Sequence, residues 1–211
     1  MAAQLNGKMK NNFIRFQILV ICFLAISFSS KAGIFNTDTL HLGSKVTGFN
    51  LPNTVPNQAK MVSLDDYKSQ KGVVIIFMTN GCYHCIKYRQ RIKDLHTQNS
   101  KNGFPVITLN PSNPSYAFEE TTQEMVKNAI KENYEFPYLQ DSTQEVTKNY
   151  GLRSTPTAYI LQLKGNDWIL KYKGPIDNDM ENKKKEKINF VQNVLDALVH
   201  HKKDVIYPMR S

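Results

Sequence analysis

The sequence predicts an α/β domain built on a mixed central sheet, and three observations carry that expectation. Residues 73–78 (Val-Val-Ile-Ile-Phe-Met) form a continuous apolar, largely β-branched run between Gly72 and Gly81, the pattern of a central parallel strand buried on both faces. Strand-like and helix-like stretches then alternate as far as Gly151, as parallel crossovers require. Finally, two apolar runs, 157–163 and 168–172, flank Gly165-Asn166-Asp167, a hairpin signal that places an antiparallel edge on the sheet.

Taken in order, residues 33–41 read as a flexible lead-in. Residues 42–56, broken by Gly43, Gly48, Pro52 and Pro56, read as a small hairpin or irregular cover. Ser63 with Asp66 forms a capping box for a short helix over 63–68. After the 73–78 strand, Cys85, Tyr88, Ile92 and Leu95 recur at helical spacing among basic and polar residues, so a helix follows whose first turn carries Cys82. Residues 106–109 make a second strand that ends in the turn-rich 110–115. Thr121 and Glu124 form a capping box for a helix with Met125, Val126, Ala129 and Ile130 on its apolar side. A third short strand spans 136–139. Ser142 with Glu145 starts another helix, with Gly151 as its C-cap. After the hairpin, Ile188, Val191, Leu195 and Leu198 give a final helix its buried stripe. With no internal repeat or linker, one domain occupies 42–203 and a tail 204–211.

The N-terminus has its own logic. With translation from Met9, Lys10 and Arg15 form a positive n-region, 16–28 is uncharged and apolar, and Ser30 and Ala32 stand at −3 and −1 before Gly33. Residues 1–32 therefore read as a signal peptide, the apolar run falling short of the roughly 20 residues that span a bilayer. Cys22 follows Ile21, whereas a lipoprotein signal needs a small residue there. Cleavage leaves Cys82 and Cys85 as the only thiols, with no stable membrane insertion, in a periplasmic or secreted setting where disulfides persist. The net charge of +9 falls to +5 without residues 1–32. The basic residues form no aromatic-interleaved stripe and match no nucleic-acid module, which excludes that class of partner.

Cys82 and Cys85 carry the chemistry. A thiol at a helix N-terminus sees unpaired N–H groups and the positive end of the dipole, which favour thiolate. Cys82 holds that place and Cys85, one turn on, suits a resolving role in two-electron exchange through a mixed disulfide. Two other readings stay open: a structural disulfide, whose small loop stabilises little, and a copper or zinc half-site completed by a distant histidine. His84, between the cysteines, is placed to tune the thiolate by hydrogen bond or charge, and Tyr83 to offer contact area to a partner polypeptide.

Strand, Cys82-Tyr83-His84-Cys85, helix and a distant Ser154-Thr155-Pro156-Thr157 before a strand resemble the thioredoxin-like superfamily. Residues 136–151 (Phe-Pro-Tyr-Leu-Gln-Asp-Ser-Thr-Gln-Glu-Val through Gly151) with Thr155-Pro156 resemble its redoxin branch, related to AhpC/TSA peroxiredoxins, and Leu42-Gly43-Ser44, Phe49-Asn50-Leu51-Pro52 and Ser63-Leu64 resemble that branch's N-terminal cover. The resemblance implies a three-layer thioredoxin-like fold with an extra strand–helix insertion. It also implies a cis Thr155-Pro156 bond facing the dithiol, where the Thr155 backbone pairs with a bound substrate strand. The implied activity is thiol–disulfide oxidoreduction on protein thiols and disulfides, served by an upstream redox partner and needing no dissociable cofactor or metal. Two departures are visible. The strand before the motif lacks the buried acid that thioredoxins use for proton transfer at the second cysteine, leaving the proton route for Cys85 unassigned. The proline that peroxiredoxins carry seven residues before the peroxidatic cysteine is Ile75 here, although Thr79 fits the hydroxyl position, so a thiol peroxidase using Cys82 ranks second.

Overall fold

The computed structural model describes residues 40–202; the expected signal peptide, most of the lead-in and the C-terminal tail lie outside the described residues. Strands β1 (Asn50–Pro52) and β2 (Met61–Ser63) pair antiparallel and form the expected cover. Ser63 closes the expected capping box with Asp66, although the turn it opens, Leu64–Tyr67, is a 3₁₀ helix. The apolar run becomes β3 (Gly72–Phe77), buried at every position. β3 is central in the order β5-β4-β3-β6-β7, with β4 (Val106–Asn110) and β5 (Tyr138–Gln140) parallel on one side and the hairpin β6 (Thr157–Lys164) and β7 (Asp167–Gly174) antiparallel on the other. The sheet is mixed, as expected, and the hairpin loop begins with left-handed Gly165.

Alternate residues of β3 serve different cores, which is why the run shows no polar alternation. Val74 and Ile76 pack with Cys85, Ile92 and Leu195 from helices α1 (Tyr83–Asn99) and α4 (Phe190–Val199), and with Met125 from α2 (Thr122–Glu132). Val73, Ile75 and Phe77 pack with Leu64, Trp168 and Val146, the last from the short α3 (Glu145–Asn149). Helices and cover thus lie on both faces of the sheet, the three-layer arrangement of the thioredoxin-like fold. No described helix is long and apolar enough to cross a membrane.

Local expectations fail where tertiary contacts outrank short motifs. Thr121 precedes α2, but its hydroxyl donates to the Phe118 carbonyl at 3.0 Å and Glu124 pairs with Lys127, so no capping box forms. Only Met125 and Ala129 of that helix are fully buried, and Ile130 is exposed. Ser142 does not start α3: Gln144 is its N-cap, in a left-handed conformation, and Asp141 accepts from the Thr147 N–H at 2.7 Å. Gly151 does adopt the left-handed conformation that ends the helix. The third strand starts at Tyr138, two residues late, and Ile188 stands exposed ahead of α4.

One contact between α1 and β4 depends on the protonation state of a histidine. The Val106 N–H donates to His96 Nδ1 at 3.3 Å, so that nitrogen must be unprotonated. Burial lowers the His96 pKa, opposed by Glu135. A base whose folded pKa lies below its unfolded value of about 6.5 stabilises the fold fully above that pH and ceases to do so as pH falls through the folded pKa. Melting temperature is therefore expected to decline on acidification below about 6.5, and His96→Gln to flatten that part of the profile. An unchanged slope in the variant would assign the decline elsewhere.

Candidate active site

Cys82 is the N-cap residue of α1, with φ −70° and ψ 115°, and its sulfur accepts from the Cys85 backbone N–H at 3.3 Å. Sulfur here occupies the place that serine or aspartate oxygen fills in most helices. The first turn of α1 contains no acid to oppose the positive end of the dipole. Both cysteines are free thiols, Cys82 half-buried and Cys85 fully buried.

Their environments separate the two thiols. Partial burial pushes the Cys82 pKa up, but hydrogen bonds from the Cys85 thiol and N–H, from the Thr155 side chain and from the His84 N–H outweigh it, leaving Cys82 more acidic than an ordinary cysteine. Cys85 moves the other way. Burial, then its hydrogen bond to Cys82, push it up to about 12 against smaller help from the Thr79 N–H and Thr155. The dithiol thus holds one partly exposed sulfur that favours thiolate and one buried sulfur that favours thiol.

The Thr155-Pro156 bond is cis, and the Cys82 thiol donates to the Thr155 carbonyl at 3.5 Å. Residues 73 apart in sequence therefore meet at one sulfur. Tyr83 is 58% exposed; its hydroxyl donates to Glu181 at 3.4 Å, and Lys87 lies 5.2 Å from its ring centroid while pairing with the same carboxylate. His84 is also exposed, its ring edge-on to Tyr83, and it reaches the Cys82 sulfur through its backbone N–H. The structure thus gathers Cys82, Cys85, Thr155 and Pro156, with Tyr83 and His84 on the solvent side.

Glu120 was not legible in the sequence. It ends the 3₁₀ turn Phe118–Glu120, is 4% exposed, and accepts from the N–H groups of Asn80 and Gly81, each at 2.9 Å, and from Asn110 Nδ2 at 2.7 Å. Tyr138 completes the network, donating to Asn80 Oδ1 at 3.1 Å and accepting from Asn110 at 3.2 Å. This buried acid lies outside the strand that precedes the motif and arrives instead from a turn after the next strand. Among the described residues, no group of three or more His, Cys, Asp or Glu side chains is placed to hold a metal ion.

Residues 42–166 match the model of the AhpC/TSA family. The chain is 26% identical over 161 residues to the thiol-disulfide oxidoreductase ResA of Bacillus cereus (strain ATCC 10987 / NRS 248), an alignment covering 74% of this chain and 86% of that protein. Among solved structures, it superposes on an uncharacterized conserved protein from Geobacillus kaustophilus with a TM-score of 0.73 and 27% identity, covering 82% of this chain and 89% of that one. A putative thiol:disulfide interchange protein DsbE from Chlorobium tepidum shares the fold at a TM-score of 0.57 and 21% identity, covering 76% and 99%.

Proposed function

Because this chain belongs to the AhpC/TSA family, we propose that it is an exported thiol–disulfide oxidoreductase that exchanges its Cys82–Cys85 dithiol with protein disulfides. The observation that carries this reading is the division of labour between the thiols: Cys82 acidified at the helix terminus, Cys85 buried and raised to about 12. In the reducing direction the Cys82 thiolate attacks a substrate disulfide. One Cys82–substrate S–S bond forms, and the departing substrate thiolate takes up a proton. Cys85 then loses its proton and attacks Cys82 Sγ, releasing the second substrate thiol and leaving the pair oxidised by two electrons. The reverse sequence oxidises a substrate dithiol. Burial disfavours the Cys85 thiolate, so this second step needs a base to take up its proton. Thr155 and Pro156 are the proposed docking edge for the substrate strand, Tyr83 a proposed contact surface and His84 a tuner of Cys82.

The similarity to ResA of Bacillus cereus supports this activity over peroxide reduction. Export rests on the composition of residues 10–32. Both parts are tested by expressing the full chain with Cys85→Ala in a bacterium with an oxidising envelope. Mixed disulfides through Cys82 are expected to accumulate on protein in the extracytoplasmic fraction, with an intact mass beginning at or near Gly33. Absence of any captured polypeptide would count against protein thiols as substrates, and a mass retaining residues 16–28 against cleavage.

A further inference from the structure

The dithiol sits at the end of a three-residue loop, Thr79-Asn80-Gly81, that leaves β3 and turns abruptly into α1. Such a loop presents consecutive N–H groups that the sheet no longer pairs. Two of them converge on one acceptor: the Asn80 and Gly81 N–H groups each donate to a different oxygen of the Glu120 carboxylate at 2.9 Å. Asn80 is gripped three further ways. Its Nδ2 donates to the Glu119 carbonyl at 2.7 Å, its Oδ1 accepts from Tyr138, and its carbonyl accepts from Arg89 Nη2 at 3.2 Å. The carboxylate itself is fixed by Asn110 Nδ2 and shielded from water. Hydrogen bonds from backbone N–H to a buried carboxylate are charge-assisted and among the stronger ones available to a loop.

We propose that Glu120 is a positioning residue for the dithiol: its carboxylate clips the backbone immediately before Cys82, holding that residue in the N-cap geometry where its sulfur collects the donors that favour thiolate. The inference rests on the assignment of Cys82 as the nucleophile. A through-space effect of the carboxylate would have the opposite sign, since a nearby negative charge disfavours thiolate. Removing the clip therefore makes Cys82 less acidic if Glu120 acts by positioning and more acidic if it acts by charge.

The test is the pH dependence of Cys82 alkylation, read by mass spectrometry in the reduced full chain carrying Cys85→Ser. Protein that retains Glu120 is compared with otherwise identical protein carrying Glu120→Gln or Glu120→Ala. The expected result is an upward shift of the thiolate midpoint by about one pH unit for Glu120→Ala, a tenfold loss of thiolate at neutral pH, with Glu120→Gln intermediate because its one carbonyl oxygen keeps one of the two clips. If Glu120→Ala does not fold, the direction in Glu120→Gln decides alone. A midpoint that stays in place while only thermal stability falls would make Glu120 merely structural and overturn the proposal. So would a downward shift. Failure of the broader reading shows itself differently, as a wild-type midpoint no lower than that of a free cysteine.

Discussion

Cys82→Ser should reduce catalysed dithiol exchange to the rate of the solution reaction, a loss on the order of 10⁴-fold, since a serine hydroxyl at this position is neither ionised at neutral pH nor able to form the mixed disulfide. The wild-type rate should rise with pH through a midpoint below that of an ordinary cysteine, because the hydrogen bonds at Cys82 outweigh the cost of its partial burial. Insulin reduction coupled to a dithiol reductant, followed across pH, measures both. Within that profile His84→Ala separates two contributions. The substitution leaves the backbone N–H that reaches the Cys82 sulfur and removes only the imidazole, so the midpoint should rise by less than about one unit. Substantial turnover in Cys82→Ser would show that Cys82 is not the nucleophile.

Gly72→Ala should be the most destabilising single-methyl addition in the sheet. Gly72 opens β3, pairs with Gln162 of β6, and donates its N–H to the Gly103 carbonyl at 3.0 Å. A Cβ there would sit inside van der Waals contact with both the Leu161 carbonyl oxygen and the Phe104 ring. The ring can rotate only within a full core, and the carbonyl belongs to a strand paired on both sides. A loss of about 3 kcal/mol is expected, the upper end of overpacking costs, equivalent to a melting-temperature decrease of roughly 6–12 °C for a domain of this size. Chemical denaturation with an unchanged m-value checks it. A change under about 1 kcal/mol would mean that β3 and β6 separate more easily than their burial implies.

The strands and the long helix were legible because their signals are long-range consequences of burial. An unbroken run such as 73–78 has one physical explanation, two apolar faces, and the stripe Cys85, Tyr88, Ile92 and Leu95 has one as well. Four-residue capping patterns are weaker evidence, since a hydroxyl has several neighbours to choose from. Ser63 meets Asp66 as the pattern predicts, while Thr121 turns back to Phe118 and Ser142 yields to Asp141. At the site, the cysteine pair and Thr155-Pro156 were legible from spacing together with family resemblance. Glu120 was not, because its role depends on where a turn after β4 comes to rest against a loop after β3, and no periodicity in the chain encodes that meeting.

Cys82 caps α1 with sulfur, so one atom is both the reactive group and the terminal bracket of the helix. Linkage makes this relation reciprocal: whatever free energy the helix terminus gives the thiolate, the thiolate gives the terminus. A sulfur engaged in a disulfide carries no charge and is a poorer acceptor, so the first turn is better fastened before exchange than after it. That turn bears Tyr83 and His84, the residues turned toward solvent. Reduced and oxidised protein are therefore expected to differ in how firmly that exposed turn is held, a difference that amide hydrogen exchange at Tyr83 and His84 would read.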